Sequence, residues 1–286
     1  MTIEFGVLGG SGLTEMQGLA LAEERSVTTP FGDPSAPIQI GELAGRQVAF
    51  LARHGAGHSL NPTEVNYRAN IFALKSLGVT RVISISACGS LREDFAPGEF
   101  VVPDQLYDNT KYRRSTFFEG GLVAHVSVAD PFCPQLSRHL ADSLERVAGQ
   151  VHRGGSYLTV EGPRFSTRAE SNTFRAWGMS LIGMTTSPEA FLAREAEMCY
   201  TVVAHVTDYD VWRTAEESVT AEIVIRLLKR NTDVAKQAVA HLITNLPAER
   251  NCHCGQALAS ALTTPSDQMD PEARQRLSLF VDPYLG

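Results

Sequence analysis

Two apolar runs constrain this chain most: Arg81-Val82-Ile83-Ser84-Ile85-Ser86-Ala87 and Tyr200-Thr201-Val202-Val203-Ala204-His205-Val206. Each is short, rich in β-branched residues and bounded by turn residues, which is how a strand buried on both faces reads. Such a sheet needs helices on both sides, and the rest of the chain supplies them. Residues 3–8, 47–51, 100–102, 157–160 and 181–184 also read as strands. Between them, residues 63–77, 131–147, 167–177 and 188–197 carry helical spacing. The apolar stripe Val219, Ile223, Val224, Leu227, Leu228, Val234 and Leu242 predicts a long helix over residues 216–245, ended by Pro247. The alternation predicts one α/β domain over residues 1–248, with a mixed, mostly parallel central sheet flanked by helices. Residues 249–286 are more polar and interrupted by Pro265, Pro271 and Pro283; they read as a tail packed on the body or on a neighbouring subunit.

Charge and cysteine content remove several function classes. A formal net charge of −7 over 286 residues argues against a nucleic-acid surface. No apolar run approaches the roughly 18–20 residues of a membrane span, and the first residues lack the basic flank of a signal peptide. A cytoplasmic protein with neither nucleic-acid nor membrane partners is the expectation. Five cysteines, an odd number in a long chain, argue against a secreted disulfide framework. Cys88, Cys133 and Cys199 sit in apolar or tight-turn settings and read as packing residues, while Cys252-His253-Cys254 lacks a visible second ligand pair and reads as surface thiols. No metal or organic cofactor is expected.

The run Val206-Thr207-Asp208-Tyr209-Asp210 places two carboxylates two residues apart where a buried strand leaves the core. In an extended chain both would face one side, at the sheet end where ligands bind in open α/β folds. Crowding two anions favours one of them keeping a proton, as a general acid needs.

Four other strand ends carry hydrogen-bond donors. Gly9-Gly10-Ser11-Gly12-Leu13 lets backbone approach a ligand closely, although it matches neither the Walker nor the dinucleotide pattern. Arg53-His54-Gly55 offers a planar fork of donors suited to phosphate, and His54 adds a neighbouring donor. Ser86-Ala87-Cys88-Gly89-Ser90 and Met184-Thr185-Thr186 add hydroxyls and N–H groups. Four donor-rich turns at four strand ends point to convergence on one anion.

With Asn66-Tyr67-Arg68-Ala69-Asn70, Ala87-Cys88-Gly89-Ser90-Leu91, Glu161-Gly162-Pro163-Arg164-Phe165 and Thr207-Asp208-Tyr209-Asp210, these segments resemble the trimeric purine nucleoside phosphorylase superfamily, and within it the branch acting on 5′-methylthioadenosine. The resemblance runs in family order from residue 5 to about 245. It implies a homotrimer in which inorganic phosphate, a co-substrate, attacks C1′ of a nucleoside and releases the free base. It places Ser11, Arg53, His54, Ser86, Ala87 and Thr185 around phosphate, Met184 against the ribose and Phe165 against the base. Asp210 would protonate N7 of the leaving purine, and Asp208 would accept from the exocyclic N6 group. Gly183 and Thr207 belong to the same substrate-facing segments. Relatives that cleave 6-oxopurines have Asn and Glu where this chain has Asp208 and Ser166, so donor and acceptor counting favours adenine. Ala221, Val224 and Ile225 match an apolar wall around a 5′-methylthio group, and His125 matches a residue supplied by the neighbouring subunit. Ser11 and Ser86 stand where Thr is usual, and Gly183 replaces an Asn seen in many relatives. Three alternatives stay open: a phosphorylase of broader range taking adenosine, methylthioinosine or inosine, a hydrolytic nucleosidase, and a non-catalytic nucleoside-binding protein.

Overall fold

The structure, a computed structural model, describes residues 3–10, 16, 18–213 and 221–285, and for 221–228 the backbone alone. Among the described residues the strands are β1 Phe5–Gly9, β2 Leu19–Arg25, β3 Ile38–Leu43, β4 Arg46–Ala52, β5 Arg81–Ser90, β6 Phe100–Val102, β7 Gln105–Asn109, β8 Val151–Arg153, β9 Ser156–Val160, β10 Leu181–Gly183 and β11 Cys199–Asp208. The helices are α1 Tyr67–Ser76, α2 Pro134–Ala148, α3 Arg168–Ala176, α4 Thr186–Glu195, α5 Ala221–Asn245, α6 Pro271–Arg276 and α7 Ser278–Val281. None is long and apolar enough to cross a membrane.

The two apolar runs of the sequence, β5 and β11, lie side by side at the centre of one eleven-stranded sheet, parallel from Arg81 and Cys199 onward. β1 flanks β5 on its other side and β4 flanks β1, both parallel, so four strand ends open in one direction. β10 reaches the far end of β5 antiparallel, at Gly89 and Ser90, and carries β9 and β7 beyond it. β2 and β3 extend the opposite edge antiparallel, and β6 with β8 pair outward from β11.

Alternation along the strands builds two cores. Leu8, Leu51, Val82 and Val202 face α1 and α4, whose Ile71, Leu74, Ala190 and Leu192 complete one of them. Val7, Phe50, Ile83 and Val203 face α2 and α5, with Leu140, Leu144, Val239 and Leu242. Local signals set the helix starts. Asn66 caps α1 by accepting from Ala69 N–H, and Thr167 with Glu170 forms a capping box on α3.

Residues 249–285 pack on the body rather than trailing from it. Ala273, Leu277, Phe280 and Val281 join the first core, with the Phe280 ring edge-on to Phe72. Leu262 bridges to Ala124, Arg276 donates to the Glu119 carbonyl at 2.7 Å, and Tyr284 donates to Glu197 at 2.6 Å.

This packing overturns the expectation that Cys252 and Cys254 are surface thiols. Cys254 is 2% exposed, and both cysteines meet Cys133 and Cys199, with all four sulfurs within 4.8 Å of one another. The second pair lies more than 50 residues upstream, so no local spacing could reveal it.

Candidate active site

The open ends of β1, β4, β5 and β11, together with β9 and β10, surround a cavity of about 600 Å³. Arg53, His54, Ser86, Ala87, Phe165, Ser166, Gly183, Met184, Thr185, Thr207, Asp208 and Asp210 all line it. Residues separated by up to 157 positions in sequence thus share one volume. Ser11 lies outside the described residues, as do the side chains of Ala221, Val224 and Ile225 on α5. His125 does not line this cavity: it is exposed, and its N–H donates to the Ala261 carbonyl at 2.8 Å.

One half of the cavity is a cradle of hydroxyls. Ser86 Oγ and Thr185 Oγ1 lie 3.4 Å apart, and Ser84 Oγ stands 3.5 Å behind Ser86. Arg53 departs from the free fork expected of it. Its Nε and Nη2 donate to the two carboxylate oxygens of Glu189 at 2.7 and 2.9 Å, and Nη2 also donates to Ser84 Oγ at 2.6 Å. Tyr200 donates to the same carboxylate at 2.7 Å. Burial opposes the arginine charge, but Glu189 more than offsets this and holds its pKa above the usual value. What Arg53 retains for a ligand is Nη1, otherwise 3.4 Å from the Ile85 carbonyl.

His54 is also recast. A carbonyl can only accept, so the 2.9 Å contact between Nδ1 and the Leu60 carbonyl puts the proton on Nδ1. Burial, reinforced by the Arg53 charge, lowers the pKa to about 4 and keeps the ring neutral. Nε2 therefore carries a lone pair, making it an acceptor rather than a second donor.

The other half holds the acid pair. β11 shifts register between Val206 and Asp208, and the chain then turns so that Asp210 adopts φ +52, a left-handed conformation that Asp tolerates better than most residues. A turn, not an extended i to i+2 spacing, brings the two acids together. Asp208 accepts from the Asp210 N–H and from Thr207 Oγ1, each at 2.7 Å. Asp210 Oδ2 is buried with no partner among the described residues. Burial pushes the Asp208 carboxyl up to about 6 against those two hydrogen bonds, and it raises Asp210 as well. Repulsion by Asp210 is the least of the causes acting on Asp208, so desolvation, not crowding, favours the protonated acid. Space here is tight. A Cβ on Gly89 would lie 2.8 Å from Asp208 Oδ1, so a side chain at that position would displace the acid.

Four residues around the site carry no signal in the sequence. Glu189 and its partner Tyr200 look like ordinary helix-start and strand residues. Arg113 donates to the carbonyls of Met184, Ser187 and Glu161 at 2.6–2.7 Å, tying the ends of β9 and β10 together, yet no motif surrounds it. His205 lines the cavity from inside β11, and burial lowers its pKa to about 4. Glu161, noted only as part of a motif, accepts from Thr63 Oγ1 at 2.6 Å and from the backbone of Lys111, fastening two loops together. Phe165 lines the cavity and is 43% exposed.

Comparison with known proteins places the chain in a family. Residues 4–244 match the family model described as the phosphorylase superfamily. A protein of Koribacter versatilis named S-methyl-5′-thioadenosine phosphorylase is 49% identical, covering 100% of this chain and 98% of its own. The crystal structure of a methylthioadenosine phosphorylase sourced from an Antarctic soil metagenomic library superposes with a TM-score of 0.93 at 44% identity, covering 98% of this chain and 99% of that one. An adenosine/methylthioadenosine phosphorylase variant of Schistosoma mansoni, solved in complex with methylthioadenosine, superposes with a TM-score of 0.79 at 36% identity, covering 87% and 93%. With the family model spanning most of the chain and relatives near half identity along its whole length, the chain belongs to the phosphorylase superfamily.

Proposed function

We propose that this chain cleaves 5′-methylthioadenosine by phosphorolysis, yielding adenine and 5-methylthioribose 1-phosphate in purine and methionine salvage. One observation carries the reading: a hydroxyl cradle and a buried acid pair share a single cavity. The names of the relatives at about half identity support it.

Phosphate sits between Ser86, Thr185, the Ala87 backbone and Arg53 Nη1; the family resemblance adds Ser11. The His54 lone pair accepts from a protonated phosphate oxygen. As the C1′–N9 bond lengthens, the sugar gains oxocarbenium character, and an adjacent phosphate held by fixed donors stabilises it. The bonding pair passes to the purine. Asp210 delivers its proton to N7, and Asp208 accepts from the N6 amino group. Ser166, which carries no charge, suits the bare N1 of adenine. Phe165 covers the base and Met184 lies against the ribose; the family resemblance assigns the methylthio group to Ala221, Val224 and Ile225. His125 completes the pocket of a neighbour in a cytoplasmic homotrimer. No organic cofactor takes part.

Base release from methylthioadenosine, adenosine and methylthioinosine, each with and without phosphate, tests the reading. Omitting phosphate should lower adenine release by at least about 100-fold, because the cradle serves no water nucleophile. Undiminished release would identify a hydrolase instead. Methylthioinosine should react about 5- to 150-fold more slowly, reflecting roughly 1–3 kcal/mol for one mismatched buried polar group. The adenosine arm separates a methylthioadenosine enzyme from one that also takes adenosine, as the name of the Schistosoma protein describes.

A further inference from the structure

Cys133, Cys199, Cys252 and Cys254 come from three separate parts of the chain. Cys133 caps the start of α2, Cys199 begins β11, and the other two lie on the turn His253–Gln256 and just before it. Their sulfurs all fall within 4.8 Å of one another, with Cys199 and Cys252 at 3.4 Å. A regular tetrahedron around zinc, with bonds of about 2.3 Å, has sulfur–sulfur edges of about 3.8 Å. Six separations under one limit of that size describe a closed cage, not a line of packed side chains. His253 is exposed, so the Cys-His-Cys segment turns both sulfurs inward and its imidazole outward.

The surroundings suit an anionic cluster. Leu136 N–H donates to Cys133 Sγ and Arg194 Nη1 donates to Cys254 Sγ, each at 3.5 Å. Such N–H to sulfur bonds are what outer partners of a metal thiolate supply. Arg81 and Arg250 lie close enough to interact electrostatically with Cys199 and Cys252. The fifteen-residue helix α2 points its positive end at Cys133. Four thiolates around a divalent ion carry two net negative charges, which Arg194 and Arg250 offset, Arg81 being already paired with Glu4.

We propose that Cys133, Cys199, Cys252 and Cys254 form a tetrathiolate zinc site. Four protein ligands leave no open position, so its role is structural. It sits at the start of β11, about 30 Å along the strand from Asp208 at a rise of about 3.3 Å per residue. It fastens the C-terminal segment to the body. That segment goes on to hold the backbone at Val123 and His125 through Thr263 and Ala261.

The test uses the full chain purified under reducing conditions without chelator. Elemental analysis should find about one zinc per chain, released as four thiols titrate with an organomercurial. Cys252→Ser with Cys254→Ser should lower zinc content at least about tenfold and Tm by roughly 5–10 °C, while Cys88→Ser keeps its zinc. Wild-type chain stripped of metal and given Co²⁺ should show thiolate charge-transfer absorption and the visible bands of tetrahedral cobalt, a readout independent of whether any variant folds. Two outcomes overturn the proposal. One is a reduced chain that takes up neither Zn²⁺ nor Co²⁺. The other is an intact mass lower by four hydrogens in chain isolated without oxidant, which means two disulfides.

Discussion

The two halves of the cavity handle buried polarity in opposite ways. On the cradle side the buried Arg53 charge meets Glu189 through two hydrogen bonds, and Ser84 and Tyr200 take up further capacity of the pair. On the base side Asp210 Oδ2 and His205 Nδ1 are buried without a hydrogen-bond partner among the described residues, although the Ser171 and Ser166 hydroxyls lie close to the Asp210 carboxyl. A satisfied network fixes geometry, and an unsatisfied one stays at high free energy until something fills it. On the proposed function, the cradle is then a scaffold for donors, and the base side keeps its interactions for the leaving group.

Three measurements would break or sharpen that contrast. The largest effect is expected from Asp210→Asn, which keeps shape but removes the acid. kcat with methylthioadenosine should fall on the order of 10²–10⁴-fold with KM changed only a few-fold. Equal losses in kcat and in binding would make Asp210 a mere anchor for the base. Next comes Glu189→Gln, which leaves the Arg53 charge buried and unpaired. Urea denaturation should show a loss of about 3–5 kcal/mol, while Asp210→Asn costs little or stabilises. A stable Glu189→Gln protein would erase the distinction between the halves.

The smallest effect is a pH dependence. Asp208 has a folded pKa near 6, above the roughly 3.9 of an unfolded aspartate. The folded state then binds the proton more tightly, so the stability Asp208 contributes is full below about pH 4 and is lost as pH rises through 6. That loss amounts to about 2–3 kcal/mol. Asp208→Asn lacks it, so the stability of this variant relative to wild type should improve between pH 4 and 7. A difference flat in pH would mean that the carboxyl is not desolvated in solution.

Much of this was legible in the chain because burial leaves periodic marks. β5 and β11 announced themselves as double-sided apolar runs, and the donor-rich turns at their ends located the cavity. β2 and β7 left no such mark: they are edge strands with mostly exposed side chains, Leu-Ala-Leu-Ala-Glu-Glu-Arg and Gln-Leu-Tyr-Asp-Asn. The commitment of Arg53 to Glu189 could not be read either, since 136 residues separate the partners and both suit other roles. The protonation states of His54 and Asp208 depend on burial, which only the fold determines. The meeting of Cys133 and Cys199 with the Cys-x-Cys pair is of the same kind.

Gly183 shows why a missing side chain need not mean an empty place. A Cβ there would fall 1.9 Å from the Tyr157 hydroxyl on the adjacent strand, so the tyrosine occupies the volume that a larger residue at 183 would claim. The two positions are therefore epistatic. Varying 183 alone in a library should strongly favour glycine, and an asparagine there requires Tyr157 to move or shrink in the same step. For engineering the substrate range of this pocket, the unit of change is that cross-strand pair.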